Sequence, residues 1–322
     1  MAKALNEGLR RSLAEDDRVM IMGEDVGRLG GVFRVTDALQ SEFGTDRVID
    51  TPLAESGIIG TAIGLAIRGY RPVCEIQFDG FIYPAFDQFV SQLAKIRHRT
   101  DGAVSVPLTI RVPFGGGIGA VEHHSESPEA YFAQTAGLRV VSCSSADDAY
   151  EMIQDAIRSD DPVLFFEPKR RYWDKAEVDL DGGFGSLGLD TARLLRAGTD
   201  LTIVAYGPMV STALAAAEEA GRDGTSVEVI DLRSLSPIDF DTIEASVRKT
   251  HRLVVVHEAS VFLGLGAEIA ARITERCFFS LEAPVLRVGG YATPYPASKL
   301  EQYFLPDVDR LLDTIERSLA VE

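Results

Sequence analysis

The chain has 322 residues, room for roughly two domains of ~150 residues each, and its 46% hydrophobic and 25% charged composition is that of a soluble globular protein. A formal net charge of −17 argues against nucleic acid and anionic membrane surfaces as partners. Cys74, Cys143 and Cys277 contain no C-x-x-C pair and are odd in number, which fits a reducing, cytoplasmic location.

No apolar run approaches the ~20 residues of a membrane span. Met1 to Asp17 reads as a charged amphipathic helix without a signal-peptide core, and Glu7, Glu15, Asp16 and Asp17 count against a transit peptide. Next, the strand Val19-Met20-Ile21-Met22 runs into Gly23-Glu24-Asp25-Val26-Gly27. Such an acidic glycine loop is either a ligand-side feature of an α/β sheet or, more economically, an ordinary turn. A helix over about Thr36 to Phe43 and a strand over Arg47 to Asp50 follow.

Thr51 to Gly69 is the stretch around which the chain is organised. Pro52 and Gly69 punctuate an apolar segment that reads as a buried helix, with one carboxylate, Glu55, in its first turn. Gly57, Gly60 and Gly64 share one face. They weaken the helix by roughly 1 kcal/mol each relative to Ala, which makes sense if a backbone, a second helix or a flat ligand presses there. Spacing leaves two readings of Glu55 open. It is a first-turn acid favoured by the helix dipole, or a buried carboxylate with raised proton affinity, poised to exchange a proton with a ligand nitrogen.

Arg71 to Phe78 is the next strand, and the aromatic cluster Asp79-Gly80-Phe81-Ile82-Tyr83-Pro84-Ala85-Phe86 opens a helix predicted to continue to about His98. Leu108 to Val112 is a strand, followed by the glycine run Gly115 to Gly119 and by Glu122-His123-His124-Ser125-Glu126-Ser127-Pro128-Glu129. Strands Leu138 to Ser142 and Val163 to Glu167 flank a helix from Ala146 to Arg158. Lys169 to about Leu187, charged and then glycine-rich over Asp181 to Gly185, reads as a surface-lying linker. The second half repeats the alternation, with strands at 201–206, 227–231, 253–258 and 285–288 and helices at 209–221, 240–249, 266–276 and 310–320. The expected fold is α/β in two domains, an N-terminal one (1–168) with a mostly parallel sheet covered on both faces and a smaller C-terminal one (191–322), joined by 169–190.

Dinucleotide binding finds little support. Gly264-Leu265-Gly266-Ala267-Glu268-Ile269 lacks the third glycine, and its strand lies several residues upstream. There is no P-loop and no H-E-x-x-H, and adjacent His123 and His124 are poor geometry for one metal. His124 follows a glycine run suited to close backbone approach and precedes a helix start that Ser127 is placed to cap. It is either a proton donor on a loop over the sheet or a solvated loop histidine. His251 and His257 read as structural and His98 as solvated.

Together these motifs form a pattern. Thr51-Pro-Leu-Ala-Glu55-Ser-Gly-Ile-Ile-Gly, Glu75-Ile-Gln77-Phe-Asp-Gly-Phe81-Ile-Tyr-Pro-Ala-Phe-Asp87-Gln88 and His124-Ser-Glu-Ser-Pro-Glu-Ala-Tyr-Phe occur in order. Phe165-Phe-Glu-Pro-Lys169 and Val229-Ile-Asp-Leu-Arg233-Ser-Leu-Ser-Pro-Ile-Asp239 follow. From about Lys3 to Leu319 the chain resembles the β subunit of the thiamin-diphosphate-dependent decarboxylase component of 2-oxo acid dehydrogenase complexes, the branched-chain type first and pyruvate dehydrogenase next. The resemblance implies a pyrimidine-binding domain followed by a transketolase-type C-terminal domain. It implies that Glu55 hydrogen-bonds the aminopyrimidine ring of thiamin diphosphate, with Leu53 and Gln77 beside the cofactor and Phe81 packed on the ring. Many branched-chain relatives carry tyrosine at the position of Phe81. His124 matches a histidine that serves acyl transfer to a lipoyl group, with Glu126 where many relatives have glutamine. Asp161 matches a position near a monovalent cation such as K+.

Thiamin enzymes also need a diphosphate and Mg2+ site, usually Gly-Asp-Gly followed by asparagine. Asp181-Gly182-Gly183 is not that motif, and Asn6 is the only asparagine. The resemblance therefore implies an α subunit that holds the diphosphate and Mg2+, in an α2β2 tetramer with the cofactor between α and β. The glycine face after Glu55 is then a candidate contact. The C-terminal domain is expected to pair with a second β subunit and to meet the acyltransferase core. Rival expectations are a non-catalytic scaffolding subunit and a fragment of a single-chain thiamin enzyme, against which Met1 opening a whole helix counts. The 2-oxo acid itself, branched-chain, pyruvate or an acetoin-type substrate, stays open.

Overall fold

A computed structural model of the protein describes residues 1–180 and 187–321. The first half runs α1 (Ala2–Glu15), β1 (Val19–Gly23), α2 (Leu39–Phe43), β2 (Val48–Asp50), α3 (Glu55–Ile67), β3 (Arg71–Glu75), α4 (Ile96–Arg99), β4 (Thr109–Phe114), α5 (Glu129–Ala133), β5 (Arg139–Ser142), α6 (Ala146–Arg158) and β6 (Val163–Pro168). The second runs β7 (Arg193–Arg196), β8 (Leu201–Ala205), α7 (Met209–Arg222), β9 (Val227–Asp231), β10 (Ser234–Ser236), α8 (Phe240–Thr250), β11 (Leu253–Ser260), α9 (Leu265–Cys277), β12 (Leu286–Gly290), α10 (Glu301–Phe304) and α11 (Val308–Leu319).

The strands form a seven-stranded sheet in the order β10-β5-β6-β4-β3-β1-β2 and a five-stranded sheet in the order β12-β11-β8-β9-β7. Every pairing is parallel except those of the edge strands β10 with β5 and β7 with β9. Strands β1, β4 and β6 are buried along their whole length. Their near-continuous apolar sequence follows from helices covering both faces. α6 is finished locally: the Ser145 side chain caps it by accepting from Asp148 N, and Ala149, Met152, Ile153, Ala156 and Ile157 bury one stripe. One core layer, including Ile59, Ile110, Phe114 and Phe132, continues without a break into Val204, Tyr206, Leu235 and Val255 of the second half of the chain. Cys74, Cys143 and Cys277 are free and buried. No helix among the described residues is long and apolar enough to cross a membrane.

The structure departs from the sequence reading in several places. The helix expected up to about His98 is broken into a 3-10 turn (Asp79–Ala85), a π turn (Gln88–Gln92), a second 3-10 turn (Leu93–Lys95) and α4. Pro84 lacks the N–H that a continuous helix needs there. α3 is not buried all round. Ile58, Ile59, Ala62, Ile63 and Ala66 are covered, whereas Ser56, Gly57, Thr61, Gly64 and Ile67 are exposed. Ser127 does not cap α5; its hydroxyl is buried without a partner, and Pro128 holds the cap position. Lys169, the first residue of the expected linker, is fully buried. The Asp181 to Gly185 part of that linker lies outside the described residues. β7 and β10 were not foreseen, being short edge strands whose pairing is set by distant partners.

Candidate active site

The residues singled out by the sequence gather at the carboxyl ends of the parallel strands, where α/β sheets bind ligands. Register places Gly23 of β1 opposite both Asp50 of β2 and Glu75 of β3. Glu24 therefore leaves β1 beside the segment that leads to Glu55 and the one that leads to Gln77 and Phe81. The glycine run leaves β4, and Lys169 leaves β6.

Glu55 is the first residue of α3 and is 7% exposed. Its carboxylate makes no hydrogen bond or ion pair among the described residues. Glu24 is almost as buried, and its Oε1 has no partner. Burial, then the charge of Glu55, then that of Asp25 push the Glu24 carboxyl above its ordinary pKa. The acidic loop after β1 is thus part of the site. Sequence reasoning named it without assigning it a role, although its position at a strand end was the available signal. Gln77 Nε2 stands 3.3 Å from the Glu24 carbonyl oxygen and 3.3 Å from Asp25 Oδ2, tying this loop to the end of β3. Leu53 is 79% exposed, an apolar side chain held out beside Glu55.

The His124 ring stacks on Phe78 (4.0 Å between centroids, 27° between planes) and meets Phe81 edge-on at 5.1 Å. Its partial burial lowers the ring's pKa from the ordinary histidine value. Nδ1 lies 3.0 Å from the His123 carbonyl oxygen and donates to it when it carries the proton; in that tautomer of the neutral ring Nε2 keeps its lone pair. Below the rings Asp79 and Lys169 form a wholly buried ion pair. The second oxygen of Asp79 accepts from Glu126 N at 2.7 Å. Burial raises the Asp79 carboxyl to about 6 against the pull of Lys169, and burial likewise lowers Lys169. A Cβ at Gly80 would collide with the His123 carbonyl oxygen, so only glycine lets the two segments close. The Asp79–Lys169 pair joins two of the quoted motifs and was not anticipated.

Asp161 is not brought to this site. It precedes β6, at the amino end of that strand and so on the side of the sheet away from the site, and its carboxylate faces Arg97 and Arg139, the latter at 3.7 Å. Among the described residues no group of three or more His, Cys, Asp or Glu side chains is arranged to hold a metal ion. What the site offers is a nearly buried carboxylate without a partner, a half-buried aromatic ring, an amide and an exposed leucine. That set suits a flat nitrogen heterocycle.

Comparison with known proteins gives the family and the fold. Residues 1–174 match the pyrimidine-binding domain of transketolase and residues 190–311 its C-terminal domain. A solved split-gene transketolase, an inactive β4 tetramer, superposes with a TM-score of 0.82 over 99% of this chain and 97% of its own at 22% identity, which supports the fold. The pyruvate dehydrogenase E1 component subunit beta of Leifsonia xyli is 62% identical over 99% of this chain and 94% of its own length. The 3-methyl-2-oxobutanoate dehydrogenase subunit beta of Mycobacterium tuberculosis is 56% identical over 99% and 91%. The 2-oxoisovalerate dehydrogenase subunit beta of Pseudomonas aeruginosa is 46% identical over 94% and 90%. With identities this high over nearly its whole length, the chain belongs to the family of 2-oxo acid dehydrogenase E1 β subunits, which spans pyruvate and branched-chain types.

Proposed function

We propose that this chain is the β subunit of an α2β2 dehydrogenase that oxidatively decarboxylates branched-chain 2-oxo acids and passes the acyl group to a lipoyl group. The observation that carries the proposal is Glu55, nearly buried and without a hydrogen bond or ion pair among the described residues, at the start of a helix on which Gly57 and Gly64 are exposed. Thiamin diphosphate, implied by the pyrimidine-binding domain, supplies the electron sink for decarboxylation. Glu55 is the group that shares a proton with a ring nitrogen, and the buried Glu24 carboxyl stands beside it. Phe81 stacks on the ring, Gln77 braces the β1 loop, and Leu53 packs beside the ligand. His124, its Nδ1 turned to the His123 carbonyl oxygen, moves the proton during acyl transfer through Nε2.

The diphosphate and Mg2+ fall to the α subunit, and the second domain pairs with another β subunit and meets the acyltransferase core. A K+ ion at Asp161 would have to compete with Arg97 and Arg139. We keep the division at 1–168, 169–190 and 191–322, and we place the enzyme in the cytoplasm, where three free cysteines stay reduced.

The Mycobacterium and Pseudomonas relatives favour branched-chain substrates, and the Leifsonia relative supports a second reading, pyruvate. The two substrates differ by methylene-sized contacts worth about 1–3 kcal/mol. The test is decarboxylation by the purified αβ enzyme with thiamin diphosphate, Mg2+ and an artificial electron acceptor. Preference for 2-oxoisovalerate establishes the branched-chain reading, and preference for pyruvate replaces it. Calorimetry tests the shared site: the β chain alone should bind thiamin diphosphate poorly, and tight stoichiometric binding overturns sharing with α.

A further inference from the structure

The glycine run before His124 is held mainly by carboxylates of the second half of the chain. Gly115, Gly117 and Gly119 have φ of +80°, +88° and +69°. Left-handed residues in alternation turn neighbouring N–H groups to one side and make a concavity that takes an anion. Here the chain provides the anion. Gly117 N and Gly119 N donate to the two oxygens of Glu301 at 2.7 and 3.2 Å, and Gly116 N donates to Glu258.

Both carboxylates are themselves fixed. The Tyr295 hydroxyl donates to Glu301 at 2.7 Å, and Arg170 stands 3.3 Å from the second oxygen of Glu258. The hold passes on to His124, because Gly115 N donates to the Glu126 carbonyl oxygen at 2.8 Å, two residues past the histidine. Asp79 grips the same residue from below through Glu126 N. The His124 loop is therefore pinned at both ends, once from each half of the chain.

We propose that Glu301 and Glu258 are positioning residues that clamp the glycine run and so hold His124 over Phe78, placing the histidine's reactivity under the control of the second domain. The functional half of this inference rests on the acyl-transfer reading of His124. The test uses the assembled αβ enzyme with Glu301→Gln, which keeps the shape and removes the charge, and with His124→Ala. Where Glu301→Gln does not assemble, Gly119→Ala replaces it, since its new Cβ would meet only Ser298 Cβ at 3.9 Å while losing the left-handed preference.

Hydrogen exchange at Gly117 and Gly119 should speed up about tenfold in Glu301→Gln. Acyl transfer to a lipoyl-bearing domain should fall about tenfold, with decarboxylation toward an artificial acceptor within about twofold of the parent. Unchanged exchange overturns the clamp. Faster exchange with unchanged acyl transfer, while His124→Ala is impaired, overturns its control of His124. Normal acyl transfer in His124→Ala overturns the reading of the histidine itself and the functional half with it.

Discussion

Helices α1 and α3 are nearly the same length and both carry glycine, but the glycines face different surroundings. A Cβ on Gly8 of α1 would stand 2.6 Å from Ile153 Cγ2 and 3.0 Å from the Tyr150 carbonyl oxygen, so that glycine lets α1 close on α6. A Cβ on Gly64 of α3 would meet nothing within 4 Å, and one on Gly57 only Ala54 Cβ at 3.6 Å. In α1 the helix-weakening residue is matched by a contact inside the chain. At Gly57 and Gly64 of α3 the same cost of roughly 1 kcal/mol per glycine has no such internal contact to match it. Only Gly60, where a Cβ would meet Gln88 Oε1 at 3.5 Å, is approached by another segment of the chain, so the exposed part of this face is open to another subunit, and Glu55 stands at its first turn.

The largest effect should come from Glu55→Gln. We expect decarboxylation by the αβ enzyme to fall about 10²–10⁴-fold with the tetramer intact by light scattering; turnover near the parent value removes Glu55 from its role. Next, Gly8→Ala should lower the stability of the β chain by about 1–3 kcal/mol in urea unfolding, because α1 must move off Ile153. An unchanged midpoint breaks the contrast from the α1 side.

The internal contacts also carry a pH signature. Glu129 is wholly buried, accepts from the Tyr206 hydroxyl at 2.6 Å, and is pushed by burial to about 7. Its folded-state pKa lies above the unfolded value. The stability it contributes is therefore fully present below the ordinary carboxylate range and is lost as pH rises through about 7. Glu129→Gln should remove this dependence, so its stability relative to the parent should improve by about 2–3 kcal/mol between pH 5 and pH 8. A constant difference across that range refutes the assignment. The smallest effect, and the sharpest for the comparison, is Gly64→Ala. It should leave the isolated β chain as stable as before, or more stable by up to ~1 kcal/mol, while weakening assembly with α by sedimentation. Unimpaired assembly detaches the glycine face from the interface.

Elements whose signal is local were readable from the sequence. α6 and β9 have the bounds that apolar spacing and flanking breakers indicate, and the motifs around Glu55, Gln77, Phe81 and His124 marked residues that do lie at the strand ends. Tertiary structure decided how these residues are held. Asp79 and Lys169 are 90 positions apart, and Gly117 and Glu301 are 184 apart. No periodicity reports such pairs, because only the parallel sheet brings strand ends together. Likewise the antiparallel return of β10 to β5, the breakup of the helix around Pro84 and the open face of α3 depend on what packs alongside. Sequence by itself determined the alternation of elements, the family and the choice of candidate side chains, since these rest on residue type and short-range spacing. Burial of Glu24 beside Glu55, the pinning of the His124 loop and the exposed part of the glycine face were decided by the fold, since they arise from contacts between segments far apart along the chain.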